Sequence, residues 1–297
     1  MTRLFCCLLL LVCSSLSQAD ATGHPLTLWR AEGATNSVYL LGSIHLLRAS
    51  DHPLPTAIDT AYEDAEVLVM ELDMDDLDPT AMQRLFNENG VLQDGTTLED
   101  LMGEKLYAEA EVAAEAIDVP IEMLAQSEPW LAAITVEMLT LYRIGFNPML
   151  GIEMHMTSKA VGDGKPIEGL EQAQEQLQFL DGLSLQAQRD MLLQTLEEGA
   201  AMGETIDEMI RAWRHGDIDT LEAGLLESFA EHEELHDALV TQRNIRWVEQ
   251  IEDLLDDTDD YLVIVGAMHL VGAVVVPNLL AEKGVHIRQL SEPPGLR

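Results

Sequence analysis

Two short stretches of the chain repeat one arrangement of chemically able residues, Gly42-Ser43-Ile44-His45 and Gly266-Ala267-Met268-His269. Each follows an apolar run, Val38-Tyr39-Leu40-Leu41 before the first and Tyr261-Leu262-Val263-Ile264-Val265 before the second. A third such run, Val67-Leu68-Val69-Met70, ends at Glu71. Two imidazoles and a carboxylate are a common ligand set for a divalent metal, here manganese, cobalt or zinc. With water completing its shell, such an ion lowers the pKa of that water and polarises a carbonyl, which is hydrolysis without a protein nucleophile. Glycine three residues before each histidine predicts a tight backbone turn after the strand. A single Gly-x-x-His is almost worthless as a signal and reads rather as a histidine that caps a helix or is satisfied in the core. Its recurrence after two similar strands is what favours His45, Glu71 and His269 as ligands.

A rival arrangement is His232-Glu233-Glu234-Leu235-His236, which fits H-E-x-x-H, the zincin helix. Spacing of four puts both imidazoles on one helical face, and Glu252 is a candidate third ligand. The motif lies among Glu227, Glu231, Glu234 and Asp237, where a matching glutamate arises cheaply. A solvated acidic face is the preferred reading.

Cysteine chemistry is excluded by position. Cys6, Cys7 and Cys13 lie in a segment with Arg3, an apolar run from Leu4 to Val12, and Ser17-Gln18-Ala19. This reads as a secretory signal peptide, 1–19, cleaved after Ala19. Its apolar run is about half of the roughly twenty residues that span a bilayer. Leu10-Leu11-Val12-Cys13 loosely resembles a lipoprotein box, but Val12 is bulky where a small residue is expected. The expected mature domain, 20–297, therefore has no disulfide and no thiol, and a metal in it has only N and O ligands. Its expected location is periplasmic or secreted.

The charge is −37, with 53 acidic against 16 basic residues. That field repels phosphate backbones and anionic lipid, so nucleic-acid and membrane-surface roles are disfavoured, and no stable membrane insertion is expected after signal cleavage. A basic or neutral partner is favoured, in particular a peptide or protein substrate. The acid excess is also explained by solubility alone.

The elements that must position these residues follow from periodicity. Trp29–Leu41 predicts a hairpin leading into a buried strand; a helix near Thr56–Asp64 and a strand at Val67–Met70 complete a β-loop-α-β unit. The strand Tyr261–Val265, a helix near Leu270–Lys283 and a strand near His286–Leu290 repeat it. Between the units, leucine, methionine and alanine at helical spacing predict helices over 98–116, 127–144, 150–162, 171–180, 184–200, 204–214, 217–230 and 233–256. Lys165-Pro166-Ile167 predicts a short strand. The fold class is α/β, a small partly parallel sheet formed by two β-loop-α-β units with a large helical insertion. In such sheets ligands bind beyond the strand carboxyl ends, where His45, Glu71 and His269 fall.

Five stretches in this order resemble the TraB/GumN family, which includes the Tiki-type metalloproteases. They are Tyr39–His45, Met70-Glu71-Leu72-Asp73, the segment from Gly151 to Glu171, Arg243-Asn244 before Trp247, and Gly266–His269. The resemblance covers nearly all of the expected mature chain. It implies an α/β fold with both Gly-x-x-His histidines and Glu71 in the site, and for Tiki-type members a divalent-metal-dependent peptidase. It brings in Glu171, as a second carboxylate of the site, a general base or an N-cap of the next helix. It also brings in Arg243, to hold a substrate carboxylate, to stabilise an oxyanion or to pair with a neighbouring glutamate. Glu153 departs from the family pattern, which reads Gly-apolar-Asp. His155 stands where an apolar residue is expected and reads as a helix-face histidine. The alternative is a non-catalytic protein that uses the same cleft to sequester a peptide, a metal or a haem-like ligand.

Overall fold

A computed structural model describes residues 24–229 and 232–293, without the side chains of 225–228. The expected signal segment, 1–19, lies outside the described residues. Strands β1 (Pro25–Glu32) and β2 (Ser37–Ser43) form the expected hairpin, with Leu28 opposite Leu41 and Arg30 opposite Tyr39. With β3 (Val67–Met70), β4 (Ile167–Gly169), β5 (Tyr261–Gly266) and β6 (His286–Ser291) they make one sheet, ordered β4-β3-β5-β2-β1-β6. The pairs β4·β3, β3·β5 and β5·β2 are parallel, and β1 runs antiparallel to β2 and β6. Every residue of β2, β3 and β5 is buried, as the continuous apolar runs require of strands covered on both faces. Their shared direction brings the ends of β2, β3 and β5 to one edge, with Ser43 paired to Gly266 and Met70 to Ile264.

Helix α1 (Thr56–Asp64) joins β2 to β3 as expected. The second unit recurs in altered form. Its return strand β6 leaves β5 and pairs with β1 at the far edge, Ala31 opposite Ile287. The helix expected over 270–283 is shortened: after a 3-10 turn at Ala267–His269, a turn and bends over 270–274, with Gly272 at φ 129°, occupy its first part. Pro277, which pre-sets the first helical turn, opens the helix proper at Val276–Glu282.

The insertion begins with α2 (Pro79–Gly90), a helix that periodicity alone did not reveal. Its signals are local, Asp78 capping the Thr80 N–H and Pro79 in the first turn. The helix expected over 98–116 is two helices, α3 (Leu98–Met102) and α4 (Glu104–Ala116), broken at Gly103 with φ 77°. Helices α5 (Pro129–Arg143), α6 (Ile152–Asp163), α7 (Ala173–Asp181), α8 (Leu185–Glu198), α9 (Met202–His215) and α10 (Ile218–Phe229) fall on expected segments. The helix expected over 233–256 is α11 (Glu233–His236), a π-helical turn Asp237–Thr241, and α12 (Gln242–Leu255). The short strand lies two residues beyond the expected 165–167. The last helix among the described residues, Val276–Glu282, is α13. Among the described residues no helix is long and apolar enough to cross a membrane.

Two apolar cores result. The larger lies on the sheet; the smaller, including Leu98, Ala110, Ile121, Val136 and Leu192, belongs to the insertion. Trp213 of α9 ties the insertion to the site edge of the sheet. Its ring N–H donates to the Gly42 carbonyl at 2.6 Å, and its own carbonyl accepts from the Thr27 hydroxyl at 2.9 Å. Trp213→Phe keeps the ring bulk but leaves that carbonyl a donor short, so it should lower the unfolding free energy by about 1–3 kcal/mol. Trp213→Ala should cost about 3–5 kcal/mol. Urea unfolding measures both, and a Trp213→Phe variant as stable as wild type would remove the hydrogen bond from the account.

Candidate functional site

The three strand ends deliver their side chains to one place. Glu71, the first residue after β3, accepts the Gly266 N–H at 2.8 Å through Oε1 and stands 3.8 Å from His269 Nε2. His45 sits in the loop after β2. That loop is clamped by the segment before α6: Asn147 N–H donates to the Leu47 carbonyl at 3.0 Å, and Ile152 N–H to the Ile44 carbonyl at 3.1 Å. Gly151 makes the clamp possible, because a Cβ there would lie 2.0 Å from the His45 carbonyl oxygen.

Each histidine is oriented by a second residue through Nδ1. His269 Nδ1 lies 2.7 Å from Asn244 Oδ1, and the Asn244 amide NH2 donates to the Val274 carbonyl at 2.8 Å, which fixes the amide orientation. His269 therefore carries its proton on Nδ1 and a lone pair on Nε2. It is 1% exposed, and burial together with the Arg243 charge pushes its pKa down to about 3, against the pull of Glu71. His45 Nδ1 lies 2.7 Å from Glu153 Oε1, which also accepts from the Ser43 hydroxyl. The extra methylene of glutamate is thus accommodated, although Glu153 Oε2 is buried with no partner. The Glu153 carboxylate raises the His45 pKa above the ordinary value, and the His45 side chain is 61% exposed on the open side of the cleft. Outer partners that hold Nδ1 and turn Nε2 inward are the arrangement found around metal-ligating histidines, although His269 Nε2 is here met by Arg243 Nη1 at 3.3 Å.

Both loop glycines act differently from the expected tight turn, since neither has a positive φ. Gly42 lets β2 pack closely: a Cβ would come within 2.6 Å of Thr27 and 3.2 Å of the Ala267 backbone. Gly266 leaves a space. A Cβ on it would stand 3.4 Å from Glu71 Oε1, 3.5 Å from His45 Nε2 and 3.6 Å from His269 Cδ2, so the three side chains form a cradle around a bare backbone. The donor set, two imidazoles and a carboxylate, fits a divalent ion of N/O preference, and the cradle gives it room. Among the described residues no group of three or more His, Cys, Asp or Glu side chains stands close enough together to hold a metal ion as placed.

The inner wall is Arg243. Its Nε donates to both Glu171 oxygens at 3.2 and 3.0 Å, and its Nη2 to Glu171 Oε2 at 2.9 Å and Glu71 Oε2 at 2.5 Å. Its Nη1 donates to the Leu239 carbonyl at 3.1 Å and reaches His269 Nε2 at 3.3 Å. The pairing reading of Arg243 is therefore the one its geometry expresses. Glu171 also accepts from Arg246 at 3.1 Å. It does not cap the next helix, whose N-cap is Gln172. For Glu71, burial raises the pKa, but His269, Arg243, His45 and the Gly266 N–H outweigh it and hold the carboxyl well below its usual range.

The other expected residues are not among the three side chains that face Gly266. His232 is the N-cap of a four-residue helix with φ −127° and ψ 53°, so His232 and His236 do not share the face of a regular helix. Glu233 is exposed, and Glu252 pairs with Lys283 at 2.6 Å. His155 lies half-buried on α6 with its ring 5.4 Å from that of His52. Sequence reasoning missed Asn244 as an orienting residue and Gln176, whose amide donates to Glu71 at 3.2 Å and Glu171 at 3.4 Å. Asn244 had a signal in its adjacency to Arg243; Gln176 had none.

Against known proteins, the profile of the TraB/PrgY/gumN family matches residues 27–289, and the chain belongs to that family. It is 24% identical over 247 residues, 82% of this chain and 87% of the relative, to the uncharacterized protein YbaP of Escherichia coli (strain K12). The Shigella flexneri protein of the same name matches equally. No solved structure matches the chain.

Replacing Arg243 by methionine leaves Glu71 buried without its cation and Glu171 with Arg246 alone. The expected loss of unfolding free energy at pH 7 is about 3–5 kcal/mol. Glu71 has a depressed folded pKa, so its contribution is present above the unfolded carboxylate value of about 4.3 and vanishes as pH falls through the folded value. The gap between wild type and variant should accordingly be widest near neutrality and narrow below that pH. Denaturation curves from pH 3 to 7 test this, and a pH-independent gap would contradict it.

Proposed function

We propose that this member of the TraB/PrgY/gumN family is an exported, divalent-metal-dependent hydrolase of peptide or related amide bonds, standing with the Tiki-type metalloproteases it resembles in sequence. The observation that carries this reading is the cradle above Gly266, faced by Glu71 and by two histidines whose Nδ1 atoms are already held from outside. His45, Glu71 and His269 would hold the ion. Bound there, a divalent cation supplies Lewis-acid polarisation of a carbonyl and acidifies water, which a chain without a thiol in 20–297 otherwise lacks.

The chain's own residues do the rest. Asn244 and Glu153 fix the two imidazole rings through Nδ1, and Glu153 favours the protonated form of His45, whose Nε2 proton would have to leave for an ion to be held there. The N–H groups of Arg243 and the lone pairs of Glu171 are turned toward one another, so both act here by positioning. They hold the Glu71 carboxylate against the cradle rather than moving a proton or receiving an oxyanion. His45, on the open side, marks where substrate enters.

Calorimetry on the chelator-stripped chain 20–297, with manganese, cobalt and zinc in turn, tests the site. Wild type and His232→Ala should bind; His45→Ala and His269→Ala should lose affinity by roughly 100-fold or more. If wild type binds none of the three ions, the hydrolase reading is overturned in favour of a ligand-sequestering protein, which saturates without consuming its ligand. Gly266→Ala should separate fold from site. Its φ of −49° suits alanine and its methyl makes ordinary contacts, so the melting temperature should hold while ion binding is lost.

Proton linkage provides a further check. Because His45 must surrender the proton that Glu153 stabilises, ion affinity should fall as pH falls, with about one proton released per ion near neutrality. Glu153→Gln should reduce that release by returning His45 toward its ordinary pKa. Calorimetry in buffers of differing ionisation enthalpy measures it, and equal release in both proteins would exclude His45 as the source.

A further inference from the structure

A cavity of about 260 Å³ opens directly beside the cradle. His45, Glu71 and Glu153 form the wall it shares with the site, while Met70, Met74 and Met154 dominate the remainder. Met70 and Met74 come from the end of β3 and the turn after it, Met154 from the first turns of α6. The shared wall is charged, but most of its charge is engaged within the protein. Glu71 directs its oxygens to the Gly266 N–H and Arg243, Glu153 binds His45 and Ser43 through Oε1, and Glu153 Oε2 is itself covered.

We infer that this cavity is the specificity pocket of the site, taking one medium-sized aliphatic side chain, of the methionine or leucine kind, from the residue next to the bond that is cut. Three observations converge on that occupant. The cavity is contiguous with the ends of β2 and β3, so a group lodged in it holds its own backbone against the cradle. Its volume lies just below the roughly 300–1,000 Å³ of pockets for drug-sized ligands, which suits a single side chain and excludes a haem-like ligand. Away from His45, Glu71, Glu153 and Gln176 its lining is thioether and alkyl, with Leu72 and Pro148 beside the methionines, so the inner part offers an aliphatic group contacts that a charged one would exchange for lost hydration. Methionines are unbranched and adapt to an occupant's shape, which favours flexible aliphatic groups over rigid rings.

The inference rests on the hydrolase reading for the bond that is cut, and on the cavity alone for the group that is bound. The test therefore has two arms. In the first, N-acetylated amides of methionine, leucine, phenylalanine, glycine and lysine are titrated into the chain 20–297 and followed by NMR. Methionine and leucine amides should bind roughly tenfold or more tightly than the glycine and lysine compounds. Met154→Phe should abolish that advantage by filling the cavity, and Met154→Ala should admit the phenylalanine amide by widening it. Misfolding cannot produce shifts in opposite directions. Indifferent binding by wild type, or an unchanged ranking in both variants, overturns the pocket.

In the second arm the manganese-loaded chain is given a random peptide library and the cut positions are read by mass spectrometry. Cuts flanked by methionine or leucine support pocket and hydrolase together. Cuts without that preference overturn the pocket and leave the hydrolase reading standing. Selective binding of the amides with an uncut library supports the pocket and overturns the hydrolase.

Discussion

The site is organised around one buried cation. Arg243 is 8% exposed at its side chain, and burial works against its charge; Glu71 and Glu171 more than restore it. Burying a guanidinium is tolerable only when its N–H groups are matched, and here they meet two carboxylates, a carbonyl and an imidazole. Those partners come from the end of β3, the segment after β4, the preceding turn of the same helical run, and the loop after β5. A single side chain therefore docks α12 against three strands of the sheet. The faces of the Trp247 and Phe179 rings, 4.6 and 5.7 Å from the guanidinium carbon, exclude water from the ion pairs.

This concentration of charge contrasts with the surface. A chain with only 16 basic residues places two arginines, Arg243 and Arg246, against the same glutamate. The outcome is a local balance in which Glu71 keeps one oxygen for Arg243 and turns the other toward Gly266 and His269. Without the arginine, desolvation would drive that carboxyl toward its neutral form, and the cradle would lose its only carboxylate face. The overall negative field then acts at longer range, on whatever approaches the open side where His45 is exposed.

Asymmetry between the two histidines follows from the sheet. β5 is central, flanked by β2 and β3, so the residue that follows it is covered, and His269 is buried and oriented by an amide. His45 leaves β2 in a loop that swings over the edge toward α6, so it stays exposed and is oriented by a carboxylate. The same swing opens the methionine-lined cavity between the end of β3 and α6. The π-helical turn Asp237–Thr241, immediately before α12, shifts the helical phase ahead of Arg243 and Asn244, which face the glutamates and His269 respectively. Such turns are common beside functional residues.

What the sequence alone determined is local and periodic. The buried strands, the hairpin, α1 and most helices of the insertion were legible because continuous apolar runs and 3.6-residue spacing are properties of neighbours in the chain. So were the places of His45, Glu71 and His269 at strand ends, since a parallel sheet puts those ends on one edge. Breaks that depend on one residue were less legible: Gly103 divides a helix that periodicity makes continuous, and Gly272 with Pro277 delays another. Only the tertiary structure decided the partnerships across long separations, Arg243 with Glu71 and Glu171, Asn244 with His269, Glu153 with His45, because each needs two distant segments at hydrogen-bond distance. It also decided what the loop glycines do. Their φ values are ordinary, and their purpose lies in what surrounds them: close packing of Thr27 and Ala267 at Gly42, and at Gly266 a space that no reading of one residue's neighbours in the chain can reveal.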